Sequence, residues 1–267
     1  MAVQGGQKDS NDFKFAGADY KPFGSSDNKS ISNLTLQYYY ANLEDYYKQN
    51  FFGLTHVLPI ADNQSFKTDL RYFDSSKDGK NGETGYLFGN NGGYAKHAGE
   101  VDNKTWTSMF TYTLGAHSLM LGYQSINDDG GFVWLNQGSL TNPEEGAGGS
   151  NFYLFTDSVV GQFARAGENT KFGQYTYDFA SLGIPGLKAS AAYEKGDDIK
   201  RRSGIGSDVS ERETDVRVDY VVPTGALKGF GFTVREGWYR HDGIDTDGSN
   251  KNTDQTRVIL NYTYAFK

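Results

Sequence analysis

From Val258 to Phe266 every second residue is large and apolar or aromatic: Val258, Leu260, Tyr262, Tyr264 and Phe266. Side chains alternate between the two faces of a strand, so these residues share one face. The opposite face carries Arg257, Asn261 and Thr263, with Ile259 and Ala265. A strand that is greasy on one face, ends in aromatic rings and is polar on the other face suits a wall between hydrocarbon and water. That pattern predicts an antiparallel transmembrane β-barrel.

Composition fits a barrel better than a helical membrane protein. Mean hydropathy is −0.63 and hydrophobic residues make up only 37%. No apolar run reaches the roughly 18 residues a transmembrane helix needs. A barrel has a polar lumen and polar loops, so only one face of each strand must be apolar. The 19 Tyr, 18 Phe and 3 Trp are enough to ring both membrane interfaces. Cys is absent, which excludes a disulfide frame and a thiolate metal site. No cofactor or metal site is expected. A net charge of −7 argues against a nucleic-acid partner, which would require a basic face. The competing class, a soluble all-β binding domain with an aromatic surface, predicts solubility without detergent.

Period-2 alternation and turn residues predict about eleven strands. They lie near Phe13–Tyr20, Leu34–Asn42, Tyr46–Leu58, Phe66–Asp74, Trp106–Thr113, His117–Ser125, Lys171–Phe179, Leu187–Lys195, Glu213–Val222, Phe230–Tyr239 and Gln255–Phe266. Short connections such as Leu114-Gly115-Ala116 alternate with long ones such as Ser75–Lys104 and Ile126–Thr170. Outer-membrane barrels have short turns at the periplasmic end and long loops outside. The tight connection Asn42–Asp45 is the misfit. Single-chain bacterial barrels have an even strand number, and Met1 to Gly6 shows no apolar signal-peptide core. The chain is therefore expected to lack N-terminal strands, with residues 1–267 a single partial barrel domain. On its own it is expected to be an open or strained sheet with two unpaired edges, not a working pore.

The segment Asn33-Leu34-Thr35-Leu36-Gln37-Tyr38-Tyr39-Tyr40-Ala41-Asn42-Leu43-Glu44-Asp45-Tyr46-Tyr47-Lys48-Gln49, followed by Phe52-Gly53-Leu54-Thr55-His56, resembles the OprD family of substrate-specific porins. So do Leu70-Arg71-Tyr72-Phe73, Gly183-Ile184-Pro185-Gly186-Leu187 and Leu227-Lys228-Gly229-Phe230-Gly231. The resemblance runs from about Phe13 to the end. It implies the C-terminal part of a barrel of about eighteen strands, with the pore formed within one chain. It also implies an outer-membrane habitat, contact with outer-membrane lipid and lipopolysaccharide, and passive diffusion of small anionic or zwitterionic solutes such as amino acids or organic acids. The Ile126–Thr170 loop takes the place of the family's seventh outside loop, which lines the constriction together with a third loop expected upstream of this chain.

Strand parity nominates the residues of a solute pathway. Lys67, Asp69 and Arg71 oppose outward Phe66, Thr68, Leu70 and Tyr72. Arg217 and Asp219 oppose Val216, Val218, Tyr220 and Val222, Arg235 opposes Phe232 and Val234, and Arg257 lies on the polar face of the last strand. A charge at the lipid midplane costs about 2–4 kcal/mol, which favours placing these groups in the lumen. The resemblance implies that such arginines form a basic ladder for a substrate carboxylate. The bland reading is that they pair with Asp69, Asp178, Glu194 and Asp219 and stiffen the wall. Arg240 falls on the outward parity beside Glu236 and Trp238, so a bulge or the membrane edge is required there.

Within the long loop, Asn151-Phe152-Tyr153-Leu154-Phe155-Thr156-Asp157-Ser158 is too apolar for a solvent loop. It suits a segment folded into the lumen, with Tyr153, Asp157 and Ser158 at the constriction and the acidic group facing a substrate amine. The alternative is a surface loop with structural aromatics. His56, His97, His117 and His241 carry no nucleophile motif, and Asp245-Thr246-Asp247-Gly248 lacks the calcium-loop Glu, so no enzyme is expected. A structural or adhesive barrel without specific transport stays open.

Overall fold

The computed structural model describes residues 1–136, 153–244 and 252–263. Among these are the strands β1 (Phe13–Tyr20), β2 (Thr35–Leu43), β3 (Tyr47–Ala61), β4 (Gln64–Lys77), β5 (Asp102–Leu114) and β6 (His117–Ile126). They continue with β7 (Asn169–Asp178), β8 (Leu187–Ile199), β9 (Val209–Val221), β10 (Phe230–Asp242) and β11 (Thr253–Tyr262). All eleven form one antiparallel sheet in sequence order. Hairpins alone build it, so every strand finds its partner locally. Among the described residues β1 and β11 are not hydrogen-bonded to each other, and the sheet is open.

The two faces differ as the alternation requires. Arg71, Thr107, Gln124, Phe172, Glu194, Glu211 and Glu213 point inward and are buried. Phe52, Tyr72, Trp106, Leu121, Val218, Phe232 and Leu260 point outward and are exposed. Burial on the inward face comes from chain packed against it. Phe132, Leu154 and Ala164 cover Phe51, Phe73 and Ile126. At the same long-loop end, Ala2 and Val3 pack with Leu43, Tyr46, Tyr47, Phe88, Val101 and Val133.

Several expected boundaries move. The strands run further toward the long-loop end than alternation of apolar residues suggests. β9 begins at Val209 rather than Glu213 because Glu211, a charge that reads as loop, is buried on the inward face. The last expected strand runs to Phe266; β11 is described to Tyr262, and residues 264–267 lie outside the described residues. The short-turn end has an exception of its own. Residues 21–34 form a longer connection with a one-turn helix, Lys29–Ser32, whose Ser30 carbonyl lies 2.7 Å from His56 Nε2 on β3. No bulge accompanies Arg240, since β10 keeps an unbroken register with β9 there. Arg240 instead sits near the long-loop end of β10 and pairs with Asp254.

Candidate functional site

Register places the arginines in one row. Arg217 on β9 is directly opposite Arg235 on β10, and Arg235 is directly opposite Arg257 on β11. Adjacent strands are about 4.8 Å apart, so the row spans about 10 Å of the inward wall. Like charges set opposite each other repel, and each arginine meets the repulsion differently. Arg217 binds Asp219 through two nitrogens, at 2.6 and 2.7 Å, and Asp219 also accepts from Thr233. Arg257 donates to Gln255 and to the Val159 carbonyl of the loop. The Arg235 Nε is buried with no hydrogen-bond partner among the described residues.

The loop from Tyr153 to Glu168 lies over this wall. Arg71 on β4 holds its near end. Its guanidinium carbon is 3.6 Å from the Tyr153 ring centre and 3.5 Å from that of Phe155, and it donates to the Tyr153 carbonyl at 2.8 Å. Asp69 accepts from Arg71 Nε at 3.1 Å, and Lys67 lies 3.3 Å from the same carboxylate. A cation between two rings and a carboxylate is fixed in position as well as charge.

Carboxylates on β9 hold the far end. Glu213 accepts the N–H groups of Val160 at 2.8 Å and Gly161 at 2.5 Å, and Asp215 accepts that of Val159 at 3.3 Å. Successive backbone N–H groups aimed at carboxylates make charge-assisted bonds. Gly237 on β10 permits the approach, because a Cβ there would fall 2.8 Å from both Val159 Cβ and Asp215 Oδ1. Deeper in the loop, Arg165 approaches Glu211 to 3.7 Å, and Glu168 accepts the Arg165 N–H at 3.0 Å.

Between loop and wall is a cavity of about 100 Å³. Arg217 and Arg235 line it together with Asp157, Ser158, Glu194 and Asp215, among neutral residues such as Phe155 and Gln174. Ser158 is beside Glu194. Burial raises the Asp157 carboxyl above its ordinary value, and the Arg235 and Arg257 charges, acting the other way, only partly offset it. The chamber thus offers a cation and carboxylates within one small volume.

Tyr153 contacts Arg71, and Asp157 and Ser158 enter the cavity with Arg217 and Arg235. Lys67 is separate, on the β4 side with Arg71. Sequence reading missed Glu213, Asp215 and Gly237. The last carried a signal, since a glycine inside a strand marks close backbone approach.

The profile described as outer membrane porin, OprD family, matches residues 1–266. The chain belongs to the OprD family. Among OprD relatives, Porin D of Pseudomonas aeruginosa is 30% identical over 241 residues, 86% of this chain and 50% of its own length. The porin-like protein GalP of Pseudomonas putida is 28% identical over 253 residues, 95% of this chain and 51% of its own. The chain thus spans about half the length of these relatives. The crystal structure of Pseudomonas aeruginosa OccK8 (OprE) superposes with a TM-score of 0.80 at 41% identity, covering 98% of this chain and 61% of that one. Pseudomonas aeruginosa OpdQ gives 0.75 at 34% identity, covering 97% and 58%. These relatives are porins, not enzymes.

Proposed function

We propose that this chain forms wall and mouth of an outer-membrane channel for small carboxylate-bearing solutes, including zwitterions such as amino acids. The observation that carries the reading is Arg235, whose buried Nε has no partner among the described residues and whose side chain lines the chamber. A guanidinium fork binds a carboxylate through two parallel bonds. Asp157, across the same chamber, suits the amine of a zwitterion. Because barrel strands tilt by about 35–45°, the arginine row climbs along the pore axis, and a carboxylate can pass from one guanidinium to the next. Such binding must stay weak enough for release. The long-loop end faces outside the cell in this reading.

The test is uptake of a small monocarboxylate and its uncharged amide into liposomes bearing the full-length porin that contains this chain. Arg235→Gln is expected to slow the carboxylate and leave the amide unchanged. Equal rates for parent and variant on both solutes would reject the pathway. A non-transporting structural barrel is the second reading, favoured by the apolar packing of Val3, Phe88, Val101 and Val133 over part of the long-loop end. Absence of flux for every solute would select it.

A further inference from the structure

The outward face carries a second cationic row. Lys171 on β7 is directly opposite Lys195 on β8, Lys195 opposite Arg212 on β9, and Arg212 opposite Arg240 on β10. Their chain neighbours Phe172, Glu194, Glu211 and Tyr239 are buried on the inward face, so parity turns all four cations outward. Four like charges in direct cross-strand register repel, which is unfavourable without outside anions. Lys195 has Asp197 at 2.8 Å, and Arg240 has Asp254. Lys171 and Arg212, both exposed, have no ion-pair or hydrogen-bond partner among the described residues.

The level of the row is informative. Tyr193 and Trp238 are exposed one step below it on the same face, a placement that suits interfacial aromatics. Further down come Val218, Tyr220 and Phe232, all exposed and apolar or aromatic. Glu236, also on this face, is bonded to the Thr256 hydroxyl. From Arg212 to Tyr220 the strand runs about 26 Å, or about 20 Å along the membrane normal at a tilt of about 40°. The cations therefore stand about one apolar band above the opposite aromatic rim, at the height of outer-leaflet headgroups.

We propose that Lys171, Lys195, Arg212 and Arg240 form a binding site for phosphate groups of an outer-leaflet lipid, lipopolysaccharide in an outer membrane. Neighbouring strands set the cations about 4.8 Å apart, so more than one can reach a single phosphate. The site rests on the family's membrane placement but lies on the opposite face from the lumen, so its test is independent of solute transport.

The detergent-purified, delipidated protein is titrated with lipopolysaccharide, with neutral phosphatidylcholine vesicles and with inorganic phosphate. The Lys171→Gln/Arg212→Gln variant and the Lys188→Gln control, at the short-turn end, are treated alike. Lipopolysaccharide is expected to bind the double variant about 30-fold more weakly, at roughly a tenfold factor or less per surface cation, and the control unchanged. Heat-modifiable migration of the double variant is expected to match the parent, showing that it folds. Equal lipopolysaccharide binding by parent and double variant would overturn the proposal. So would competition by inorganic phosphate at lipopolysaccharide-like concentrations, which would make the row a free-anion site, or equal binding of phosphatidylcholine.

Discussion

The Arg71 guanidinium carbon lies 3.5 Å from the centre of the Phe155 ring. This contact ties β4 to the loop that covers the arginine row, and it is backed by the hydrogen bond to the Tyr153 carbonyl. Arg71→Ala removes it and leaves Asp69, only 2% exposed, with the half-exposed Lys67 as its cation. A buried carboxylate that loses its main partner typically costs about 3–5 kcal/mol, and Lys67 lowers that here to about 2–3. Denaturant unfolding in detergent is expected to show this loss. Arg71→Ala/Asp69→Ala is expected to recover part of it, because no lone charge remains.

Gly237→Ala tests the far end of the loop. The added methyl meets Val159 and Asp215 at 2.8 Å, so the loop must lift from the wall. Overpacking of this kind costs about 1–3 kcal/mol. Amide exchange at Val160 and Gly161, whose N–H groups are bonded to Glu213, is expected to accelerate. Unchanged exchange there would mean that the loop is held elsewhere.

Glu168 gives the loop base a pH dependence. Burial first, then the neighbouring Glu211 carboxylate, raise its carboxyl well above the ordinary value, against the opposing Arg165 N–H and charge. Because the folded value lies above the unfolded one, the folded state favours the protonated form. This contribution is fully present below the unfolded carboxylate value and is lost as pH rises through the raised one. Proteolysis of the loop is expected to speed up on the alkaline side, and Glu168→Gln, neutral at every pH, is expected to flatten that limb. An equally steep limb in the variant would exclude Glu168 as its source.

Much of this architecture was legible in the sequence because β-structure has a simple period. Parity alone sorted Val218 from Arg217 and Phe232 from Arg235, and the strand count followed from turns such as Leu114-Gly115-Ala116. The strand ends were harder to read. Glu211 looks like a loop charge, and its burial depends on a loop that arrives from elsewhere in the sequence. Register was likewise hidden: Arg217, Arg235 and Arg257 could each be assigned inward, but their direct opposition depends on pairing between strands. The arginines read as either ladder or wall braces, and contacts divide them. Arg217 is tied to Asp219, Arg71 and Arg257 engage the loop backbone, and Arg235 faces the chamber.

That division makes Arg235 the most direct test of the account. The measurement is the reversal potential of single channels under a salt gradient, for the full-length porin that contains this chain and for its Arg235→Gln variant. Removing a cation from the chamber while Asp157, Glu194 and Asp215 remain is expected to shift the reversal potential toward cation selectivity. An unchanged reversal potential, with the variant folded and conducting, would contradict the claim that the arginine row guides anionic groups through the pore.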